Sequence, residues 1–373
     1  MTVKICHVTS AHNTDDIRIL KKECVSLAGN NEYNVFLVGR GKNWEYKKVK
    51  IIGVGASPDN RFERMTKFAK KVIDSAIKLD ADIYHLHDPE LLLYLKKLKK
   101  TGAKIIFDSH ENYYEQIKTK KYLPKVMRYI LSNIYAVYQN YICRYLDGAI
   151  YPVKDKKGLS PFGNKVKNIE FINNFPNLAE FEDVEGGVDA KGIAICYVGS
   201  ISEPRGIEPL IEACYIKKVK LILAGKFSSD EYRNYLESKK EYSIVDYRGI
   251  CDREEIKQIY KESTIGASNL LNEGQYPFMR NLPTKVYEYM AVGLPFFISD
   301  FEFFKEFILE FGCGIVVCPS DPKSIVEAIV KISSDEEYSK KQSQIGKKLI
   351  KTEFNWSNEE KKLFSFYKKV YED

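Results

Sequence analysis

Lys285 and Glu288 lie three residues apart in the run Asn281–Pro295 (NLPTKVYEYMAVGLP), a spacing that places a cation and a carboxylate one helical turn apart. Pro283 suits the first turn of a helix, and Asn281 is a fitting cap just before it. Val286, Tyr287, Met290 and Ala291 recur at helical spacing, and Gly293 stops the helix. Pro295 then opens the apolar run Phe296–Ser299, which reads as a buried strand. Free N–H groups and the dipole at a helix start favour an anion, and Lys285 adds positive charge there. Glu288 is placed to accept hydrogen bonds from a diol. A phosphate site beside a hydroxyl-binding carboxylate is what a nucleotide-sugar requires. Taken alone, the stretch reads equally well as a solvated helix with ordinary charges.

Histidine is the second source of chemistry. All five histidines fall in the first 110 residues: His7, His12, His85, His87 and His110. His7 and His85 lie inside strand patterns and read as satisfied core groups. His12, His87 with Asp88, and Asp108 with His110 and Glu111 stand just past strand ends. Metal ligation is open to such residues, but their spacings match no closed zinc pattern, so no metal is expected. A third element is Gly192–Gly199, a strand ending in glycine, followed by the loop Ser200–Gly206 with Arg205 and then a helix. Strand, glycine, cation-bearing loop and helix can cradle a phosphate, although many α/β loops share that composition.

The elements that must position these residues alternate. Strands are expected at Val3–Val8, Asn34–Val38, Val49–Val54, Ile83–His87 and Lys104–Asp108. Helices intervene, one with Ile17, Leu20, Cys24 and Leu27 on its apolar face and a basic one over 61–79. Asn173–Asn177 and the acidic stretch Glu180–Gly187 read as a linker. A second series follows, with strands at Gly192–Gly199, Leu221–Gly225, Ser243–Gly249, Thr264–Ser268 and Phe296–Ser299. Helices at 302–310, 322–332 and 335–352 and a last one from Asn355 complete it. This is an α/β chain of two doubly wound, Rossmann-like domains, in which ligands bind at the carboxyl ends of parallel strands.

At 373 residues the chain is long enough for two cores. Composition, 44% hydrophobic and 29% charged, is that of a soluble globular protein. No apolar run has the length of a membrane span, no signal-peptide pattern opens the chain, and the eight cysteines form no CxxC pair. The cytoplasm is the compartment expected from these features. The net charge of +7 permits attraction to phosphates or anionic lipid without requiring nucleic acid. Residues 113–146 interleave Lys118, Lys120, Lys121, Lys125, Arg128 and Arg144 with eight tyrosines. That pattern fits a peripheral contact with the inner face of a membrane, and equally a half-buried helix pair with a solvated face.

The order and spacing of several segments resemble the GT-B glycosyltransferases of family 4. They are Cys6–Lys22 (CHVTSAHNTDDIRILKK), Tyr84–Leu92 (YHLHDPELL), Phe107–Glu111 (FDSHE), Tyr197–Ala213 (YVGSISEPRGIEPLIEA), Leu221–Gly225 (LILAG) and 285–299 (KVYEYMAVGLPFFIS). The resemblance implies two Rossmann-like domains facing a cleft. An acceptor domain would span 1–175, a nucleotide-sugar domain 176–355, and a helix over 356–373 would pack back on the first. It implies transfer of a sugar from a UDP-sugar, or else a GDP-sugar, to a hydroxyl of a glycan or lipid-linked glycan with retention. Surface polysaccharide assembly is the expected setting, and no cofactor is implied beyond the donor substrate.

By the same resemblance, Glu288 holds the ribose hydroxyls, Arg205 and Lys285 meet the diphosphate, and the backbone at Arg248–Ile250 meets the nucleobase. His110 reaches the donor sugar, while Asp88, Asp108 and Glu111 surround the acceptor. Two positions depart from the family pattern. Arg280 stands where a sugar-reading glutamate is expected, and Gly199-Ser200 replaces a Gly-Arg pair. A sugar-nucleotide epimerase, a phosphorylase or a non-catalytic relative of the same fold therefore stay open as alternatives.

Overall fold

The computed structural model describes residues 2–110, 113–120, 123–152 and 165–373. Glu111 and Lys121 lie outside the described residues. The chain divides into two compact units, Met1–Asn174 with Trp356–Asp373, and Phe175–Asn355.

Unit 1 is built on an eight-stranded sheet. Its strands are β1 (Val3–Val8), β2 (Tyr33–Gly39), β3 (Trp44–Tyr46), β4 (Val49–Gly53), β5 (Ile83–Leu86), β6 (Lys104–Asp108), β7 (Gly148–Tyr151) and β8 (Asn168–Phe171). They lie in the order β3-β4-β2-β1-β5-β6-β7-β8, all parallel except the β3–β4 hairpin. The order reverses between β1 and β5, the position where such sheets open a crevice.

Side chains alternate between the two faces of this sheet. On one face Cys6, Val8, Tyr84, Leu86 and Phe107 pack with Val72, Ile73, Leu91 and Leu95. On the other, Ile5, Ile83 and Ile106 pack with Leu20, Cys24, Leu363 and Phe366. His7, His85 and Asp108 alternate with the first set, so they share the second face. That face is covered by the wide, π-type helix Ile17–Cys24 and by the helix Trp356–Glu372. Burying each large apolar side chain of the latter helix stabilises unit 1 by about 1.5–3 kcal/mol, and Trp356 Nε1 adds a hydrogen bond to Ser26 Oγ at 2.9 Å.

The π-type turn alters the face anticipated for the first helix. Ile17 is exposed, whereas Arg18, Ile19, Lys22 and Glu23 turn inward with Leu20 and Cys24. The 61–79 helix runs from Arg61 to Ile77 with its own π-type segment at Arg64–Phe68, and Phe62 is exposed.

Unit 2 carries β9 (Ala194–Val198), β10 (Lys220–Ala224), β11 (Val245–Gly249), β12 (Ile265–Ser268), β13 (Phe296–Ser299) and β14 (Ile315–Val317). All are parallel, in the order β11-β10-β9-β12-β13-β14. This is a doubly wound sheet whose order reverses between β9 and β12. Just past the ends of β9 and β10, Gly199 and Gly225 cross closely. Gly225 has φ +141°, and a Cβ there would overlap the Gly199 carbonyl. The strand expected from Ser243 begins at Val245, because Lys240–Ile244 forms a 3-10 turn.

Candidate active site

In unit 1 the ends of β1, β5 and β6 deliver every histidine of the chain into one cluster. Asp108 is fully buried, and Arg18 clamps it with two bonds, Nε to Oδ2 at 2.8 Å and Nη2 to Oδ1 at 3.0 Å. Burial raises its carboxyl pKa, but the charges of Arg18 and His110 outweigh that and hold it well below the ordinary carboxylate range. His110 Nε2 lies 3.1 Å from Asp108 Oδ2 and 3.2 Å from His87 Nδ1. Its side chain is 15% exposed, and that of His12, at 30%, is the more accessible of the two. His87 is buried, and desolvation lowers its pKa to about 4 despite Asp108, so the ring is neutral.

Asp88 caps the loop after β1. Its Oδ2 accepts from Thr9 Oγ1 at 2.8 Å, Ser10 N at 2.6 Å and Ala11 N at 3.1 Å. Its Oδ1 meets His12 Nδ1 at 2.9 Å. Burial works against the charge of both partners, yet the Asp88–His12 pair prevails, lowering the carboxyl pKa and raising that of the imidazole. Asp88 and Asp108 are thus both buried and engaged, Asp88 with His12 and the loop after β1, Asp108 with Arg18 and beside His110. Glu111, the remaining carboxylate expected here, lies outside the described residues.

A cation might be sought among His7, Glu23, His85 and His87, or among His87, Asp108 and His110, whose ligand atoms lie within 4.8 Å of one another. Hydrogen bonds already engage the ring nitrogens that face inward in both groups, apart from His85 Nε2. The Arg18 guanidinium, 3.1 Å from Glu23, supplies the positive charge that the carboxylates need.

In unit 2 the residues around Lys285 form a second cluster. Helix Thr284–Val292 starts at Pro283, which is the N-cap and leaves the first turn without a side-chain cap. Asn281 does not cap it, because its Oδ1 accepts from Tyr287 Oη instead. Lys285 is only 8% exposed, with Nζ 3.3 Å above the Tyr197 ring centroid and no hydrogen-bond partner. Burial, reinforced by Arg205, lowers its pKa well below the ordinary lysine value. Gly199 adjoins it, since a Cβ on that residue would come within 3.2 Å of Lys285 Nζ.

Arg205 ends a 3-10 turn, with its guanidinium 5.0 Å from the Tyr276 ring. Gly206 follows at φ +65° and begins the helix Ile207–Lys217, which also lacks a side-chain cap. Ser200 is exposed, and its carbonyl accepts from Tyr197 Oη at 2.9 Å. Ile250 lies beyond the carboxyl end of β11 and is 75% exposed.

Glu288 projects from the same helix as Lys285. Its Oε1 accepts from Arg253 Nη1 at 3.0 Å and its Oε2 from Tyr260 Oη at 2.5 Å. A carboxylate offers about four lone-pair positions, so roughly two remain for hydroxyl donors. Arg280 lies 3.7 Å from Glu302. Arg18, Glu23, Tyr367, Tyr197, Arg253 and Tyr260 complete the two clusters without having been anticipated. A cation inside an otherwise apolar helix pattern was the one available signal, and it applies only to Arg18.

Comparisons with known proteins agree with this architecture. Residues 179–349 match the family model of the glycosyl transferases group 1. An uncharacterized glycosyltransferase of Methanocaldococcus jannaschii is 28% identical over 193 residues, 49% of this chain and 46% of that protein, so the match spans just under half of that relative. A sucrose-phosphate synthase of Thermosynechococcus elongatus superposes with TM-score 0.78 at 16% identity, covering 99% of each chain. The Anabaena protein HepE, solved with UDP and glucose, gives 0.70 at 12% identity, covering 98% of this chain and 99% of its own. Residues 179–349 are thus similar to the glycosyl transferases group 1, and the two Rossmann-like units share a GT-B fold along nearly the whole length with these solved structures.

Proposed function

We propose that the protein transfers a sugar from a nucleotide-sugar, a UDP-sugar ahead of a GDP-sugar, to a hydroxyl of a glycan or lipid-linked glycan, with retention at the anomeric carbon. The observation that carries this reading is Lys285 Nζ, buried and unpartnered beside Arg205 at the ends of β9 and two uncapped helices. A buried Nζ without a partner beside a guanidinium is costly, and a diphosphate satisfies both groups. HepE of Anabaena, a structural neighbour, is solved with UDP-glucose.

In the reaction, the bond between the anomeric carbon and the diphosphate oxygen breaks, and its electron pair leaves with the phosphate. Arg205 and Lys285 stabilise that growing negative charge. The acceptor oxygen attacks from the same face, and its proton passes to the departing phosphate. Asp88 and Asp108, both buried and hydrogen-bonded, are not free to act as nucleophiles, which favours this route over a covalent one. Glu288 takes the ribose hydroxyls, the backbone at Ile250 the base, Gly199 and Ser200 the phosphate approach, and His110 the sugar near the reaction centre.

A thermal-shift series with UDP, GDP and ADP, followed by their sugar conjugates, tests the donor assignment. UDP should raise the melting temperature, and Glu288→Ala should weaken its affinity by about tenfold or more, the scale of one charge-assisted hydrogen-bond pair. Arg253 keeps its 2.5 Å contact with Glu180 in that variant, so the fold should survive. An unchanged UDP response would remove Glu288 from the ribose site. Conversion of the donor with no acceptor present would instead identify an epimerase.

One observation extends the reading to a lipid surface on the cytoplasmic side of a membrane. Helix Lys125–Ile142 turns Ser132 and Gln139 inward, while Val126, Ile130, Ile134, Val137 and Tyr141 form an exposed stripe. Val126 and Val137 are 73% and 70% exposed. Beside the stripe runs an apolar groove of about 360 Å³ that includes Met65, Ile117 and Leu131, with Arg61 and Lys120 at its edge. Apolar residues outward with cations around them suit anionic lipid. Among the described residues, no helix is long and apolar enough to cross a membrane. Neutralising Lys120 and Lys125 should reduce sedimentation with anionic vesicles at low salt, and Ile130→Asp should reduce it at any salt. Full binding by both variants would refute the contact.

A further inference from the structure

Asn269 stands one residue past the end of β12, fully buried against the loop that carries Arg205. Its side-chain amide donates twice: Nδ2 lies 2.9 Å from the Gly206 carbonyl oxygen and 2.9 Å from that of Pro319. Gly206 follows Arg205 in the loop after β9, and Pro319 lies two residues past β14. In the sheet β12 lies between β9 and β13, with β14 beyond β13. One amide therefore ties together strand ends on both sides of its own. Its segment is pinned as well. Leu271 N donates to the Pro204 carbonyl at 3.0 Å, and Ser299 Oγ, at the end of β13, donates to the Leu270 carbonyl at 2.7 Å.

Carbonyl oxygens only accept, so the amide nitrogen must face these two, and that fixes which way the side chain is turned. Its Oδ1 is left buried without a donor. That is the milder defect, since turning the amide over would set its oxygen against two carbonyl oxygens. The contact with Gly206 leaves no slack. Gly206 has φ +65°, and a Cβ there would lie 2.0 Å from the Asn269 carbonyl oxygen and 2.7 Å from Nδ2. The Gly206 carbonyl also accepts from Leu210 N at 3.3 Å, a bond that opens the helix Ile207–Lys217. Asn269 thus holds the one residue that joins Arg205 to an uncapped helix start.

We propose that Asn269 is a positioning residue for the diphosphate. Its amide sets the Arg205–Gly206 turn, and with it the guanidinium and the free N–H groups of the helix start, in the geometry that a diphosphate needs. The proposal rests on the reading of Arg205 as a phosphate ligand. A staple that served only the stability of unit 2 would weaken base, ribose and phosphate binding alike. The groups assigned to the nucleoside stand on other contacts: Glu288 is held by Arg253 and Tyr260, and Ile250 follows β11. Loss of the amide therefore falls on the phosphate share of affinity and spares the nucleoside share.

The test titrates the full chain and Asn269→Leu with UDP and uridine, and with GDP and guanosine. Leucine keeps the volume and removes both donors. The diphosphate should bind about tenfold more weakly, the scale of an orphaned buried acceptor, while its nucleoside stays within about twofold. In an Arg205→Met background the same substitution should weaken the diphosphate by no more than about threefold, because the group it positions is already gone. An equal fall for diphosphate and nucleoside would make Asn269 a support of unit 2 alone and overturn the proposal. A loss undiminished by Arg205→Met would overturn it too. If the parent chain binds neither diphosphate better than its nucleoside, the phosphate reading fails and the proposal with it. A parent preference for the diphosphate that Asn269→Leu leaves unchanged overturns the proposal alone. Asn269→Asp, which sets an oxygen against both carbonyls, is judged by the same ratio if Asn269→Leu does not fold.

Discussion

Replacing Lys285 with methionine should weaken UDP binding about a hundredfold, roughly 3 kcal/mol, while raising the melting temperature of the unliganded protein. Few substitutions at a binding site move those quantities in opposite directions. The reason is the burial of Nζ without a partner. Desolvation, with Arg205 nearby, lowers the folded pKa of Lys285 below its unfolded value. Between the folded and the unfolded lysine pKa the folded state therefore binds fewer protons than the unfolded one, and across that window the residue makes stability rise with pH. Methionine fills similar space and removes the desolvated amine, so the free fold gains. A bound diphosphate reverses the balance by drawing a proton onto Nζ. Calorimetry of UDP binding in buffers of different ionisation enthalpy should therefore register proton uptake in the parent chain and less in Lys285→Met. Equal affinity for UDP in both chains would remove Lys285 from the phosphate site.

His110→Ala should reduce turnover by about a hundredfold or more, the usual scale for a group acting at a reacting centre. UDP affinity should stay within about threefold, since the nucleotide is assigned to Arg205, Lys285 and Glu288 in the other unit. The ring is held from behind by Asp108 at 3.1 Å and packs against His12 at 4.6 Å, so its loss leaves the clamp between Arg18 and Asp108 intact. Turnover and UDP dissociation constant measured on the same preparation decide the matter. A parallel fall in both would assign His110 to the fold.

The two clusters were unequally legible in the sequence. Strands of five to seven residues with dense apolar character, such as β1, β2 and β9, could be placed from composition and punctuation. Of the three- and four-residue strands, β5, β12 and β13 were also placed, whereas β3, β7, β8 and β14 were not. At β7 a distant contact makes the choice of residue: a Cβ on Gly148 would overlap Phe366. A π-type turn likewise leaves no 3.6-residue signature, so the inward turn of Arg18 and Glu23 was hidden.

Lys285 and Glu288 could be read because a helix start and a one-turn spacing are local properties. The partners that give other residues their meaning are remote. Arg18 meets Asp108 across 90 positions, and Tyr367 meets His85 across 282. Asp88 and Asp108 were placed around the acceptor by resemblance, which carries no information on burial, and their contacts with His12 and Arg18 appear only in the structure.

The discontinuity of unit 1 has a consequence in time. Trp356, Phe366 and Tyr367 complete its second face, yet they are synthesised only after residues 175–355, which form unit 2. At ordinary translation rates that interval lasts roughly ten to forty seconds. Throughout it, the nascent first unit carries a bare apolar flank and an unfinished cluster of histidines on the ribosome. Unit 2 has no such wait, since all its strands come from one continuous stretch of chain. The later half of this protein can therefore reach its native state first, and the earlier half is the client for whatever shields unfinished chains in the cell.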